Sequence, residues 1–399
     1  MSLAHGRHYL AIPGPSVIPD RVLAAMHRPA PDIYSGALAE MVRGVLRDLG
    51  TVARTRHQAA IYIANGHGAW EAALANPLAR GDRVLVLANG LFGHGWAEMG
   101  RRLGLAVEVI DCGKRNAVDP ARLARALAED AHRELRAVLV VHVDTSTGVR
   151  NDIRALRDVL DASGHPALLM VDCIASLGCE RFEMDDWGVD VMVAASQKGL
   201  MTPPGLGFVF FNERAADARD AAGDVSAYWD WKPRVAPEDF YQYFAGTAPT
   251  HHLFALREAL DMLVHEEGIE NAWIRHEKLA RAIWAAFDAW GACGEIALNI
   301  GEETRRSHAV TAAQAGTPNG TALRDWLTRR AGVTLGIGLG MAPPGDPAWH
   351  GFFRIGHMGH VNAHMVMGVL GSIEAGLQAL GVAHGEGALE AAARVIATA

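Results

Sequence analysis

The sequence predicts an α/β protein, with a large domain built on a mostly parallel sheet and a smaller C-terminal α+β domain. Short apolar runs alternate with longer amphipathic segments between about residues 50 and 215. The runs are continuous in Val, Leu and Ile, which is typical of strands buried on both faces of a parallel sheet. The chain has 399 residues, half of them hydrophobic, so it can bury a large core.

The elements follow in order along the chain. Two segments of helical periodicity fit crossovers between parallel strands, namely residues 120–131 and 153–162. Six apolar runs are predicted to be strands, at residues 60–64, 83–88, 137–142, 167–171, 190–195 and 207–211.

The second half of the chain is predicted to be organised differently. Residues 212–250, rich in Asp, Trp, Tyr and Pro, indicate an irregular excursion. A long helical stretch from about 252 to 290, divided near Gly268, follows, and residues 387–399 form a last helix. We expect an N-terminal arm (1–20), a large domain (21–265) and a small domain (266–399).

Charge and cysteine content exclude several classes of protein. The formal net charge is -8 and there is no basic patch, so we expect no nucleic-acid partner. The four cysteines have no paired spacing, which favours a reduced, cytoplasmic protein without structural disulfides or a metal site. No apolar run is long enough for a secretory signal or a membrane span, so we expect no membrane association.

Two ionisable residues each follow a predicted strand, and these two strands are consecutive along the chain. Asp172 comes after the run at 167–171, and Lys198 follows the run at 190–195 in Ser196-Gln197-Lys198. Taken alone, they could be a turn residue and a solvated lysine. Together they are the groups that pyridoxal phosphate needs, because a lysine forms a Schiff base with its aldehyde and an aspartate keeps its ring nitrogen protonated. We therefore expect pyridoxal 5'-phosphate as the cofactor.

Other strand ends carry residues that suit the same cofactor. Gly66 and His67 form a glycine turn that opens a helix and could cradle a phosphate. Phe92 could face an aromatic ring, and Thr145 could hydrogen-bond a ring substituent, although a core phenylalanine and a capped turn explain them equally well. In open parallel sheets, ligands bind where the strands end. Arg354, in the C-terminal domain, could bind a substrate carboxylate or lie on the surface.

The chain also resembles a known family over almost its full length. It is similar to the class V, fold-type I aminotransferases, in particular the alanine–glyoxylate and serine–glyoxylate group. The fold implied is a mostly parallel, mixed seven-stranded sheet with a smaller α+β domain. The matching segments are Pro13-Gly14-Pro15, Gly66-His67-Gly68, Thr145-Ser146-Thr147-Gly148, Ser196-Gln197-Lys198 with Pro203-Pro204-Gly205, and Arg354-Ile355-Gly356.

This resemblance implies a role for each matching residue. Lys198 would form the Schiff base and shuttle the proton, and Asp172 would pair with the ring nitrogen. Phe92 would stack on the ring, Thr145 would contact the ring oxygen, and Arg354 would bind the substrate α-carboxylate.

The phosphate side of the site is implied in the same way. Gly66, His67 and Gln197 would hold the phosphate, and Thr247 would reach it across the interface of a homodimer. Tyr243 is displaced from the register in which the family commonly has a tyrosine, but it is still expected to reach the phosphate. Ile33-Tyr34 also depart from the His-Arg of the bacterial relatives, so substrate preference is open.

The expected activity is transamination between a small L-amino acid, serine or alanine, and glyoxylate or pyruvate. Pyridoxamine–pyruvate and aspartate–glyoxylate transamination remain alternatives, as does a catalytically silent protein that binds the cofactor. A cysteine desulfurase is disfavoured because residues 332–354 contain no cysteine. A nucleotide-binding oxidoreductase is disfavoured because Gly336 and Gly338 occur late in the chain, where we expect a loop, and Met341 replaces the last glycine of the fingerprint.

Overall fold

The structure is a computed structural model that describes residues 2–34, 36–223 and 225–398, and leaves Met1, Ser35, Asp224 and Ala399 outside. Its strands are β1 (Tyr9–Ala11), β2 (Gln58–Ala64), β3 (Arg83–Ala88), β4 (Ala106–Asp111), β5 (Leu135–Val141), β6 (Val143–Asp144), β7 (Val149–Arg150), β8 (Leu168–Asp172), β9 (Val191–Ala195), β10 (Gly205–Phe211), β11 (Ala297–Leu298), β12 (Val310–Gln314), β13 (Val333–Ile337) and β14 (Phe352–Gly356).

Its α-helices are α1 (Asp20–Met26), α2 (Ala37–Ala53), α3 (Gly66–Ala75), α4 (Leu91–Arg102), α5 (Pro120–Glu129), α6 (Ile153–Ser163), α7 (Glu213–Ala221), α8 (Lys232–Val235), α9 (Thr250–Leu260), α10 (Ile269–Trp290), α11 (Asn319–Trp326), α12 (Ala363–Leu380) and α13 (Ala388–Ala397). Short 3₁₀ helices span Phe240–Phe244, Glu303–Arg305 and Pro347–Gly351, and π-helical turns at Asp261–Glu267 and Leu327–Ala331 extend α9 and α11.

The larger sheet, over the described residues, has seven strands in the order β2-β10-β9-β8-β5-β3-β4. The five strands from β9 to β4 are mutually parallel, and β10 runs antiparallel to both β2 and β9. The predicted mixed, mostly parallel seven-stranded sheet is therefore confirmed. The central strands β8 and β9 are buried at every position, as their continuous apolar runs predicted.

Alternate residues of the larger sheet pack into two different cores. Leu169 and Val171 of β8 pack with α2, α6 and α9 on one face, whereas Leu168 and Met170 pack with α3 and α4 on the other. Because successive side chains of a strand point to opposite faces, one continuous apolar strand supplies both cores. This double covering leaves the ends of the strands as the accessible part of the sheet.

The smaller sheet of the described chain has the order β1-β13-β14-β12-β11. Its edge strand comes from the N-terminus, since β1 pairs in parallel with β13. Residues 1–20, expected to form an arm, therefore contribute a strand to this sheet. Helix α10 connects the two sheets: Ala272 packs into the core of the larger sheet, and Leu279 into the core of the smaller one.

Three local predictions were wrong. Strand β4 was missed because it lies at a sheet edge, where charged Glu108 interrupts the apolar pattern. Helix α7 lies in the stretch predicted to be irregular, and only Ala215 and Arg219 of it are buried, so its periodicity is weak. Gly336 belongs to β13 rather than a loop, where it pairs with Arg354 and where a Cβ would lie 2.6 Å from Cδ of Pro13.

Among the described residues, no helix combines the length and the apolar character needed to cross a bilayer.

Candidate active site

A cavity of about 260 Å³ opens where strands of the larger sheet end. Because these strands share one direction across most of the sheet, the residues that follow them meet at one edge. Seven residues singled out from the sequence line this cavity, namely Gly66, His67, Phe92, Thr145, Asp172, Gln197 and Lys198.

Asp172 is the last residue of β8 and is only 4% exposed. Its Oδ2 accepts a hydrogen bond from Nε1 of Trp70 at 2.9 Å, and its Oδ1 accepts one from the backbone N–H of Ile174 at 2.7 Å. Burial raises the pKa of Asp172 to about 7, although both hydrogen bonds and the charge of Lys198 act in the opposite direction. A cation bound in the cavity would lie beside a carboxylate of fixed orientation, and its charge would favour the ionised form of Asp172.

Lys198 lies three residues after β9, with its side chain directed at the same cavity. Burial lowers the pKa of its amine to about 8, and the positive charge of Arg354 lowers it further, while Asp172 opposes the change. A lysine with this pKa has a substantial neutral fraction near pH 8, which a nucleophile or base requires. The pair therefore provides a nucleophilic amine and a buried carboxylate in one cavity.

The N-terminal segment closes over the lysine. Nζ of Lys198 donates to the carbonyl of Pro13, and the backbone carbonyl of Lys198 accepts from Oγ of Ser16 at 2.7 Å. A Cβ at Gly14 would lie 2.3 Å from Nζ of Lys198, and Gly14 has φ +97°. Only glycine fits here without strain, so the backbone of Pro13-Gly14-Pro15 can pass directly over the lysine.

The glycine turn after β2 begins helix α3. Asn65 caps this helix, since its Oδ1 accepts from the backbone N–H of His67 at 3.0 Å and of Gly68 at 3.4 Å. The expected cradle of free N–H groups is thus partly occupied by a favoured N-cap residue. A Cβ at Gly66 would lie 2.5 Å from Cδ1 of Ile174, so a side chain there would press on the cavity wall.

Phe92 is held at the start of α4 by Asp144, a buried carboxylate next to Thr145. Oδ2 of Asp144 accepts from the backbone N–H of Phe92 at 3.0 Å and of Gly93 at 3.3 Å. Its Oδ1 accepts from the backbone and the hydroxyl of Ser146. Asp144 therefore joins the turn that carries Thr145 to the helix that carries Phe92.

Arg354 lies in β14 and is buried beside the same turn. Its Nε donates to the carbonyl of Ile337 at 2.7 Å, and its Nη1 donates to the carbonyl of Thr145 at 2.8 Å. Within the described chain no hydrogen bond is recorded for Nη2. Burial lowers the pKa of Arg354 to about 10, so the guanidinium stays charged at neutral pH and offers a fixed donor to an anion.

Tyr243 and Thr247 do not line the cavity. Tyr243 packs half-buried against Phe240 and Phe244, and Thr247 is exposed just before α9. Ile33 packs against the core, whereas Tyr34 is 87% exposed. None of these four residues lines the cavity that contains Lys198 of the same chain.

The cavity fits the cofactor expected from the sequence. It brings together a buried carboxylate and a lysine that can lose its proton near neutral pH. Gln197 lines the same cavity, and its Oε1 is buried without a hydrogen-bond partner among the described residues. Such an orphaned acceptor is costly unless a ligand supplies a donor. A phosphate offers acceptors, so it would be held by the same amide turned through about 180°, with Nε2 donating to a phosphate oxygen.

Sequence reasoning missed five lining residues, namely Asn65, Trp70, Val143, Ile174 and Ala175. Trp70 was recoverable, because it lies four residues after Gly66 on one helix face and helical side chains lean towards the N-terminus. Asn65 was recoverable as a strong N-cap before a glycine turn. No sequence pattern indicated that Ile174 lines the cavity, apart from its position two residues after Asp172.

Comparison with known proteins identifies the family. The family model Aminotransferase class-V matches residues 8–344. The chain is 37% identical over 382 residues to serine–glyoxylate aminotransferase of Methylorubrum extorquens, covering 93% of this chain and 91% of that protein. It is 33% identical over 377 residues to L-aspartate–glyoxylate aminotransferase of Paracoccus denitrificans, covering 93% and 91%.

A solved structure of an aminotransferase is also similar to this fold. Pyridoxamine–pyruvate aminotransferase from Mesorhizobium loti superposes with a TM-score of 0.85 at 27% identity, covering 98% of each chain. The seven-stranded fold, the lysine–aspartate cavity and these similarities lead to one conclusion: the chain belongs to the class V aminotransferases.

Proposed function

We propose that this aminotransferase uses pyridoxal phosphate to transfer the amino group of a small L-amino acid, serine or alanine, to glyoxylate or pyruvate. The observation that carries the proposal is that Lys198 and Asp172 face one cavity beside a charged Arg354. The serine–glyoxylate activity named for the relative from Methylorubrum extorquens supports the choice of substrates.

The cofactor, when bound, supplies an aldehyde for the amine and a ring that accepts the electrons left when the substrate loses its α-proton. Lys198 Nζ would hold the cofactor and would accept the α-proton of the substrate, a role that requires the neutral amine that its pKa of about 8 provides. Asp172 would stabilise a positive charge at the ring nitrogen. Arg354 Nη2 holds the substrate carboxylate and thereby orients the α-carbon.

The residues that line the cavity support three contacts with the cofactor. Phe92 would pack against the ring, Thr145 would contact its oxygen substituent, and Gly66, His67 and Gln197 would surround the phosphate. Thr247, with Tyr243 near it, completes the phosphate side of a second copy of the chain. The protein is then a homodimer with its active sites at the interface, which accounts for the exposure of Thr247.

The division into an arm (1–20), a large domain (21–265) and a small domain (266–399) belongs to the same proposal, with α10 as the connection. A cytoplasmic location does as well, because Cys112, Cys173, Cys179 and Cys293 are all free thiols.

A specific observation supports a second candidate, pyridoxamine–pyruvate transamination. Asn65 occupies the N–H groups of His67 and Gly68, which weakens the phosphate cradle and suits a cofactor-like substrate without phosphate. The similarity to the enzyme from Mesorhizobium loti points the same way. Aspartate–glyoxylate transamination, named for the relative from Paracoccus denitrificans, is a third option.

Half-reactions distinguish these candidates. The purified protein is expected to be yellow, with an absorbance band that borohydride removes, and the Lys198→Ala variant should lack the reducible band. Serine, alanine, aspartate and free pyridoxamine are then offered singly, followed by glyoxylate or pyruvate. Conversion of the band by serine or alanine supports the first proposal. Formation of pyridoxal and alanine from free pyridoxamine and pyruvate, without added pyridoxal phosphate, supports the second. If none of these donors converts a band that borohydride removes, the protein binds the cofactor without catalysis.

A further inference from the structure

Trp70 connects the residues that surround the candidate cofactor cavity. It lines the cavity, is 1% exposed, and lies in the second turn of α3, four residues after Gly66. Its indole Nε1 donates to Oδ2 of Asp172 at 2.9 Å, a contact between residues that are 102 positions apart. A tryptophan has only this one donor, so the hydrogen bond fixes which edge of its ring faces the carboxylate.

Aromatic neighbours hold the indole in this orientation. Trp96 of α4 stacks on Trp70 with ring centroids 6.0 Å apart and an interplanar angle of 16°. Phe92 meets the indole edge to face at 6.3 Å, and the His67 ring lies 4.7 Å away. Trp70 therefore contacts Asp172, Phe92 and His67, three residues assigned to different parts of the cofactor.

The carboxylate of Asp172 is constrained at both oxygens. Oδ1 accepts from the backbone N–H of Ile174 and Oδ2 accepts from Trp70, so rotation of the carboxylate would break a hydrogen bond at each end. Hydrogen bonds of this kind favour the charged form of a buried acid. The other ionisable groups near Asp172 are Asp144, Lys198 and the thiol of Cys173.

We propose that Trp70 is a positioning residue, whose indole N–H orients the Asp172 carboxylate and keeps it ionised so that the proton between them stays on the ring nitrogen of the cofactor. The inference rests on the proposed function, because it assumes that Asp172 meets that nitrogen. Without this donor, Asp172 becomes the stronger base and the shared proton moves from the ring to the carboxylate.

The test compares two tryptophan variants of the holoenzyme. Trp70→Phe keeps an aromatic ring but removes the donor. Trp96→Phe is the matched control, because the Nε1 of Trp96 is buried and has no hydrogen-bond partner among the described residues. Each protein is loaded with pyridoxal phosphate labelled with ¹⁵N in the ring, and the ring-nitrogen resonance is measured.

The resonance should move towards that of an unprotonated pyridine in Trp70→Phe and stay at the wild-type position in Trp96→Phe. An unchanged resonance in Trp70→Phe, or an equal change in both variants, would overturn the proposal. If the wild-type protein binds no pyridoxal phosphate, the proposed function fails instead, so the two failures are distinguishable.

A cofactor-free measurement covers the case in which Trp70→Phe does not fold. Protein labelled with ¹⁵N in its tryptophans is titrated with acid, both as wild type and as Asp172→Asn. One indole N–H resonance should titrate in the wild type and remain constant in Asp172→Asn, because Trp70 is the only tryptophan of the described residues whose indole donates to that carboxylate. If every indole resonance responds identically in the two proteins, the hydrogen bond does not exist and the proposal is wrong.

Discussion

Replacement of Asp172 by asparagine should flatten the pH dependence of stability in the cofactor-free protein. Asp172 is buried, and burial raises its pKa from 3.8 to about 7. A group whose pKa is raised in the folded state contributes stability below its unfolded pKa and loses it as the pH rises through the folded pKa. The unfavourable ionisation of this one carboxyl group is therefore a cost that the folded protein carries at neutral pH.

The magnitude follows from the two pKa values. One pKa unit corresponds to about 1.4 kcal/mol, so the change from 3.8 to about 7 amounts to about 4 kcal/mol over the whole range, of which roughly 3 kcal/mol falls between pH 5 and pH 8. Asparagine cannot ionise, and this component should vanish in Asp172→Asn. The free energy of unfolding at a single pH does not test this, because the NH2 group of the asparagine cannot accept a hydrogen bond that the carboxylate accepted. The test is the change in the free energy of unfolding with pH.

The assay is denaturant unfolding of cofactor-free protein at pH 5 and pH 8. The wild type should lose roughly 3 kcal/mol more than Asp172→Asn between these values. Asp288→Asn is the control, since Asp288 is exposed on α10 and its variant should follow the wild type. Parallel pH dependences in wild type and Asp172→Asn would refute the assignment of a raised pKa to this site.

Three further substitutions give separate tests. Arg354→Gln should raise the pKa of Lys198 above about 8, because the positive charge of Arg354 lowers it. The rate at which cofactor-free protein attaches pyridoxal phosphate should then increase with pH around a higher midpoint than in the wild type. An unchanged midpoint would contradict the effect of the Arg354 charge on Lys198. Gly14→Ala places a Cβ 2.3 Å from Nζ of Lys198 and should abolish most borohydride-fixed cofactor, whereas Gly6→Ala, also at positive φ but in open space, should not. Glu180→Gln, which breaks a buried cluster of serine, arginine and histidine, should cost about 3–5 kcal/mol at pH 7 by denaturant unfolding. Because the pKa of Glu180 is well below its ordinary value, the gap to the wild type should narrow in acid, and a gap that stays constant would count against an ionised Glu180.

The sheet and the strand-end residues could be predicted because buried parallel strands leave a strong signal. Asp172 and Lys198 each follow a run of apolar residues that had to be covered on both faces, so their meeting at one edge followed from the strand direction. The edge strand β4 gave no such signal, since Glu108 faces solvent there.

The contacts between these residues could not be predicted in the same way. The Trp70–Asp172 hydrogen bond joins a helix to a strand 102 residues away and depends on how α3 lies against the sheet. The closure of Pro13 over Lys198 depends on the pairing of the three-residue strand β1 with β13, too short a run to signal its partner. The proposed roles of Tyr243 and Thr247 depend on a second chain, to which no pattern within one sequence points.

The pairing of β1 with β13 also bears on when the enzyme can become active during its synthesis. Tyr9 leaves the ribosome early, but its partner Val333 is made roughly 320 residues later, which is tens of seconds at bacterial or eukaryotic elongation rates. Until then the segment that follows β1 has no sheet to anchor it, and its contacts with Lys198 lack their support. A nascent chain that already contains the complete larger sheet should therefore bind the cofactor poorly, and capture of the cofactor should be one of the last events of folding.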